Sequence, residues 1–134
     1  MTLTPEERAN LCNAAQEAAK SAYAKYSNFR VGAAVLAGDQ IYIGVNVENA
    51  SYGLTICAER VALCSAIAQG ERAFRAIAVA CIDADPNLGL RSLVPCGNCR
   101  QVIAELAETA EIIICGSDKS FALSDLLPLH FKLD

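Results

Sequence analysis

Two short cysteine-containing segments constrain the fold of this chain more than any other part of the sequence. Residues 55–60 read Thr-Ile-Cys-Ala-Glu-Arg, and residues 95–99 read Pro-Cys-Gly-Asn-Cys. Both segments are predicted to lie at helix starts, where unpaired N–H groups and the helix dipole favour the thiolate form of cysteine. A fold that uses the two segments as one site must bring both helix starts together.

The two segments predict an open zinc site. They supply three thiolates, Cys57, Cys96 and Cys99. Structural zinc takes four protein ligands, whereas catalytic zinc keeps three and leaves the fourth position to water. A Cys-x-x-Cys spacing covers about one helical turn, so its two sulfurs can face one ion. We therefore expect one Zn²⁺ per chain, with Glu59 as the group that moves protons beside it.

The other cysteines and the histidine are predicted to lie outside this site. Cys64 lies two turns from Cys57, roughly 10 Å along the helix axis, which is too far for two Zn–S bonds of about 2.3 Å. In a reducing compartment, cysteines are expected as thiols or metal ligands and not as disulfides. The remaining residues are assigned as packed or surface side chains: Cys12 in an alanine-rich helix, Cys81 and Cys115 in strands, and His130 in the tail. Cys81 and Cys115 stay open as further ligands.

The composition predicts a single domain, residues 1–134, with abundant apolar surface. Hydrophobic residues make up 54% and charged residues 19% of the sequence, so apolar faces are expected on both sides of a sheet and between subunits. The net charge is −4 and Lys and Arg form no cluster, which disfavours nucleic-acid and membrane partners. Because no apolar stretch has bilayer length and no secretory signal pattern is present, the chain is predicted to be cytoplasmic.

The order of helical and strand patterns predicts an α/β fold with a mixed sheet. The capping residue Thr4, with a glutamate three residues later, begins a helix that is expected to run to about Ala24. Residues 31–37 and 40–46 are then predicted to form a hairpin, followed by a helix over 57–70 and a strand over 76–82. A helix from residue 96 onward, a strand over 111–115 and one helical turn over 124–128 complete the prediction.

Longer stretches of the chain resemble the small homotetrameric zinc-dependent cytidine deaminases. The matching motifs are spread along nearly the whole chain: residues 26–34, 46–60, 95–101 and 126–128, with Phe131. It implies a three-layer α-β-α fold around a mixed central sheet. It also implies hydrolytic deamination of cytidine and deoxycytidine to uridine and deoxyuridine, as in pyrimidine salvage. In that reaction a zinc-bound hydroxide attacks C4 of the base while Glu59 shuttles the protons.

The resemblance also implies which residues bind the substrate. Asn46 and Glu48 match positions that hydrogen-bond the ribose, and residues two apart in an extended segment face the same way. The intervening Val47 belongs to the same stretch through its backbone, and Phe29 matches the aromatic residue that packs on the base. A free nucleoside is expected because Glu48 would repel a nearby phosphate.

Four further residues receive roles, and for Arg60 the spacing to Cys57 supports the same role as the resemblance. Arg60 and Gln101 match positions beside the thiolates, where they would offset negative charge. In the homotetramer, Phe131 would reach the base pocket of a neighbouring subunit, and Tyr52 would lie near the shared boundary.

Two alternative functions are weighed against this one. Deaminases of cytosine-nucleoside antibiotics such as blasticidin share the Cys-Ala-Glu and Pro-Cys patterns, but they resemble this chain less across residues 48–55. A zinc-stabilised module without catalysis is the second alternative. Glu59 and the lack of an obvious fourth ligand argue against it.

Overall fold

The computed structural model describes residues 3–133, which form four α-helices and five strands. The helices are α1 (Pro5–Ala19), α2 (Ala58–Ala68), α3 (Gly97–Leu106) and α4 (Leu123–Leu126). The strands are β1 (Val31–Ala37), β2 (Gln40–Val45), β3 (Ala76–Cys81), β4 (Glu111–Ile114) and β5 (Ser120–Phe121). None of the helices within residues 3–133 is long and apolar enough to cross a membrane.

All five strands belong to one mixed sheet, in the order β2-β1-β3-β4-β5. β1 pairs antiparallel with both β2 and β3, β3 pairs parallel with β4, and β4 pairs antiparallel with β5. The parallel pair requires a crossover, which α3 provides. The predicted mixed sheet is confirmed. The edge strand β5 was not predicted, because two residues are too few to show a period.

Helices cover both faces of the sheet. Along β1, neighbouring side chains point to opposite faces. Ala34 and Leu36 therefore pack beneath α1, whereas Ala33 and Val35 pack beneath α2 and α3. This arrangement is the predicted three-layer α-β-α fold, and burial on both faces accounts for the high hydrophobic fraction.

Two glycines let the helices lie directly on the strands. A Cβ atom at Gly32 would overlap the carbonyl oxygen of Ala15 in α1, and one at Gly44 would overlap the carbonyl oxygen of Ala58 in α2. Ala58 is the first residue of α2. The contact at Gly44 therefore fixes the position of the start of α2, which follows Cys57, relative to strand β2.

The first helix ends earlier than predicted. α1 begins at the expected capping box, in which Thr4 and Glu7 bond each other's backbone N–H groups, but it stops at Ala19 and not near Ala24. The N–H of Tyr23 instead donates to the carbonyl of Asn46 at 3.0 Å, and its carbonyl accepts from the N–H of Glu48 at 2.9 Å. This pairing with distant residues replaces the helical hydrogen bonds that Tyr23 would otherwise make.

The prediction that Cys12 and Cys115 are separate packed thiols is wrong. The two residues form a disulfide, with Cα atoms 5.5 Å apart, which joins α1 to the residue after β4. Both flank the apolar cluster beneath α1. The packing of α1 across the sheet brings them within bonding range, a proximity that the separate element patterns did not reveal.

Candidate active site

The three cysteines of the two constraining segments meet at the starts of α2 and α3. Cys57 and Cys96 are the residues that precede the first turns of these helices, and Cys99 lies within the first turn of α3. The Sγ atoms of Cys57 and Cys96 are 3.8 Å apart, and those of Cys96 and Cys99 are 3.6 Å apart. All three sulfurs lie within 4.8 Å of one another.

These distances fit a tetrahedral zinc ion. Two thiolates bound to one zinc at about 2.3 Å lie roughly 3.8 Å apart, and thiolate sulfur is a preferred zinc ligand. Among residues 3–133, no histidine, carboxylate or fourth cysteine joins the group, and Cys64 is exposed on α2. The cluster could therefore hold zinc with one coordination position left open.

Arg60 stabilises negative charge at this cluster. Its guanidinium contacts the Cys57 sulfur at 3.8 Å and donates to the carbonyl of Thr55 at 3.2 Å. Hydrogen bonds from Cys99, Arg60 and Cys96 lower the pKa of Cys57 to about 5, although burial opposes this shift. The pKa of Cys99 moves upward, because it is the hydrogen-bond partner of Cys57 and is itself buried.

Glu59 lies in the first turn of α2, behind the cysteines. Only 5% of the residue is exposed, and burial raises the pKa of its carboxyl to about 7. The charge of Cys57 contributes in the same direction, whereas Arg60 opposes it. A carboxyl with a pKa near 7 can both accept and return a proton at neutral pH, which is the property of a general acid–base group.

Cys57, Cys96 and Glu59 open into an inner cavity of about 190 Å³. Phe29 and Asn46, for which the resemblance implies contact with the substrate, also line it. Asn46 is only 8% exposed. Its side-chain oxygen accepts from the N–H of Val31 at 2.9 Å, and its amide nitrogen donates to the carbonyl of Phe29 at 2.9 Å. One N–H of the amide is left for a further partner.

Glu48 lies in an adjoining outer cavity of about 280 Å³, together with Tyr52. Thr55 lines both cavities and so marks their boundary. Between Asn46 and Glu48, the backbone of Val47 exchanges both of its hydrogen bonds with Ile56, at 2.9 and 3.0 Å. The stretch that was expected to bind the sugar is therefore held rigidly in place by its own backbone.

The sequence did not predict one wall of the inner cavity, which also contains Cys57 and Glu59. Ser92, Leu93 and Val94 come from the long segment between β3 and α3, and Cys81 comes from the end of β3. Cys81 was assigned to the core but lies half-buried on the cavity wall, where burial raises its pKa to about 11. The segment between β3 and α3 has no regular alternation of apolar residues, so the sequence does not indicate which of its side chains face the cavity.

The C-terminal tail lies against α3. The Gln101 side chain donates to the carbonyl of Phe131 at 3.2 Å, and His130 pairs with Glu108 at 2.7 Å. Gln101, which was expected beside the thiolates, thus contacts the tail. The Phe131 side chain points away from its own core and is 68% exposed.

Comparison with known proteins identifies the family. The family model for the cytidine and deoxycytidylate deaminase zinc-binding region matches residues 5–116, which include both cysteine segments. The chain belongs to this deaminase family. A cytidine deaminase of Halalkalibacterium halodurans is 46% identical over 133 residues, covering 96% of this chain and 96% of that protein.

Two further deaminases resemble the chain along most of its length. A cytidine deaminase of Mycobacterium tuberculosis is 44% identical over 121 residues, covering 90% of this chain and 86% of that protein. The crystal structure of a cytidine deaminase from Burkholderia pseudomallei superposes with a TM-score of 0.79 at 45% identity, covering 96% of this chain and 100% of that chain. The sequence comparison and the structure comparison therefore identify the same deaminase family and the same fold.

Proposed function

We propose that this protein is a zinc-dependent cytidine deaminase, which converts cytidine and deoxycytidine with water into uridine or deoxyuridine and ammonia. The observation that carries the proposal is the cluster of Cys57, Cys96 and Cys99, with the buried Glu59 lining the same cavity as Cys57 and Cys96. An open metal position beside a carboxyl of raised pKa is the arrangement that hydrolytic base deamination needs.

In the proposed mechanism, the three cysteines hold zinc and Glu59 transfers protons. Zinc, when bound, makes water acidic enough to ionise near neutral pH and so supplies the nucleophile. Glu59 takes up the proton released from the water and delivers it to N3 of the base. It then transfers the remaining proton of the added water from the hydroxyl group to the amino group, which leaves as ammonia. Arg60 offsets part of the negative charge of the thiolates.

The proposed substrate is a free nucleoside. Phe29 would pack on the base, while Asn46 and Glu48 would bind the sugar and the Val47 backbone, through its pairing with Ile56, would hold them in place. The position of Glu48 in the adjoining cavity supports this division, because the two cavities meet at Thr55. A carboxylate in the outer cavity accepts hydrogen bonds from sugar hydroxyls and repels a phosphate at the same place.

We further propose that the 134 residues form one catalytic domain that works as a homotetramer. Tyr52 and Phe131 are 80% and 68% exposed, which supports a role for both at boundaries between subunits. A cytoplasmic location and a role in pyrimidine salvage belong to the same proposal: five of the seven cysteines are free thiols, as expected in a reducing compartment, although Cys12 and Cys115 form a disulfide. Light scattering of the purified protein tests the tetramer directly.

The direct test is an assay of purified protein that contains one equivalent of zinc. Loss of cytidine absorbance and release of ammonia should occur together, with deoxycytidine also accepted and cytidine monophosphate turned over poorly. Absence of turnover of both nucleosides by the zinc-loaded protein would defeat the proposal. Equal efficiency on cytidine and its monophosphate would retain the chemistry but exclude the assignment of Glu48.

A further inference from the structure

The Glu48 carboxylate is held by three donors from a single turn. Its Oε1 accepts from the backbone N–H groups of Tyr26 and Ser27, at 3.0 and 3.1 Å. Its Oε2 accepts from the hydroxyl of Ser27 at 2.5 Å. Together these bonds lower the pKa of Glu48, and the hydroxyl makes the largest contribution. The carboxylate is therefore fixed in one orientation as an acceptor.

The same hydroxyl also holds the backbone of Phe29. While Ser27 Oγ donates to Glu48, it accepts from the N–H of Phe29 at 3.0 Å. One small side chain thus connects a residue of the outer cavity with a residue of the inner cavity, although Glu48 and Ser27 are 21 residues apart in sequence.

Asn46 completes this set of contacts from the other side of Phe29. Its amide nitrogen donates to the Phe29 carbonyl, and its oxygen accepts from the N–H of Val31. Both polar backbone groups of Phe29 are therefore bonded to side chains that are themselves anchored. The path from Glu48 through Ser27 and Phe29 to Asn46 is unbroken, with donor–acceptor distances between 2.5 and 3.0 Å.

We propose that Ser27 is a positioning residue that sets the place of the Glu48 carboxylate relative to Phe29, so that the sugar-binding and base-packing groups of the protein match the spacing of sugar and base in a nucleoside. The inference rests on the proposed function, since it assigns these two side chains to the sugar and the base. Ser27 itself needs no contact with the substrate. A hydroxyl is the required group, because the position must donate to a carboxylate and accept from an N–H at the same time.

A positioning role for Ser27 can be distinguished from simple structural support of the turn, because only the positioning role depends on which substrate is bound. Ser27→Ala leaves Glu48 with backbone donors only, so the carboxylate no longer has one fixed orientation. We expect KM for cytidine to rise about 10-fold, the size of one hydrogen bond to a charged group, with kcat changed less than about 3-fold. On 2′,3′-dideoxycytidine, which lacks the hydroxyls that Glu48 would bind, the KM change should stay below about 3-fold.

Two controls accompany this measurement. Ser27→Thr keeps the hydroxyl and should recover most of the loss on cytidine. Ser21→Ala removes a hydroxyl from the exposed turn after α1, outside both cavities, and should match the parent on both nucleosides. Zinc content and melting temperature are recorded for every variant, so that a folding defect is recognised directly.

A double-mutant cycle with Glu48→Gln gives the second readout. If Ser27 acts through the carboxylate, the cost of Ser27→Ala should fall to below about 3-fold once Glu48 has been replaced. Equal losses on cytidine and the dideoxynucleoside, or full additivity in the cycle, would overturn the positioning role while the parent remains an active deaminase. A parent that deaminates neither nucleoside would overturn the proposed function as well.

Discussion

Two glutamates of the same site lie in opposite environments. Glu59 is buried behind the cysteines and its pKa is raised to about 7, whereas Glu48 lies partly exposed at the outer cavity and its pKa is lowered. Burial without a strong donor favours the protonated form, while three donors favour the charged form. The first environment suits a group that exchanges protons, and the second suits a permanent hydrogen-bond acceptor.

The comparison teaches that the role of each carboxyl follows from its donors and its burial. Glu59 is the second residue of a helix packed against the sheet, and only 5% of it is exposed. Glu48 follows a short bridge between Val47 and Ile56, and the turn at Tyr26 and Ser27 closes around it. Changes at the inner residue should therefore affect catalysis, and changes at the outer residue should affect binding.

Removal of a metal ligand should have the largest effect. Cys96→Ala leaves two sulfurs in the cluster, and zinc sites in small domains supply on the order of 10 kcal/mol of folding free energy. We expect loss of zinc together with loss of activity or of folded protein, measured by metal analysis and circular dichroism. Cys64→Ala, on the exposed side of α2, is the matched control and should keep its metal. Full zinc occupancy in Cys96→Ala would remove Cys96 from the site.

Glu59→Gln should give the next largest effect. The amide keeps the shape of the side chain but cannot transfer protons, so kcat is expected to fall at least about 10³-fold. Zinc content should remain at one equivalent, because Glu59 is outside the sulfur cluster. Turnover near the parent rate in this variant would exclude Glu59 as the proton-transfer group.

Glu48→Gln should act on binding. The loss of a charged acceptor for sugar hydroxyls is expected to raise KM for cytidine about 10- to 100-fold, with kcat changed only a few-fold. Steady-state kinetics separates the two constants. Glu105→Gln, an exposed glutamate of α3, is the control for a change of charge. A large fall in kcat at unchanged KM would contradict the assignment of Glu48 to substrate binding and of Glu59 to proton transfer.

The smallest effect is a difference in the pH dependence of stability. The raised pKa of Glu59 means that the folded protein holds a proton that the unfolded chain, with a pKa of roughly 4.3, has released. Stability should therefore fall as pH rises from about 4.5 through about 7. The lowered pKa of Glu48 has the reverse sign: its contribution is present above the unfolded value and is lost as pH falls through its folded pKa.

Thermal unfolding across this range compares the two variants. Glu59→Gln should raise Tm relative to the parent at about pH 8, by on the order of 5 °C, and match the parent near pH 4. Glu48→Gln should lower Tm at neutral pH, with a difference that shrinks in acid. Shifts of the same sign for both variants would contradict the comparison.

The inner part of the site could be predicted from sequence because its geometry is local. One helix start places Cys57 and Glu59 two residues apart, and another places Cys96 and Cys99 one turn apart. The spacing alone therefore determines which side chains share a helix end. The mixed α/β sheet was also predictable from the order of helical and strand patterns, whereas its three-layer arrangement was implied by the family resemblance.

The outer part could not be derived in this way, because its contacts join distant residues. The partners of Glu48 lie 21 and 22 residues earlier in the chain. The end of α1 depends on pairing between Tyr23 and residues 46–48. The wall formed by Ser92 and Leu93 comes from a segment without periodic apolar residues. Loops of this kind take their shape from tertiary contacts that local propensity does not record.

The bond between Cys12 and Cys115 closes most of the chain into a covalent ring. The two residues are 103 positions apart, so the proposed zinc ligands and both glutamates lie inside the ring, while the tail with Phe131 lies outside. A single backbone cut within the ring would leave one covalently connected molecule. Unfolding of the oxidised protein yields a circular chain with two short ends, and the chain-entropy account assigns roughly 4–5 kcal/mol of stabilisation to a ring of this size. The two cysteine segments stay tethered on that circle, so refolding begins from fewer arrangements than in the reduced, linear chain.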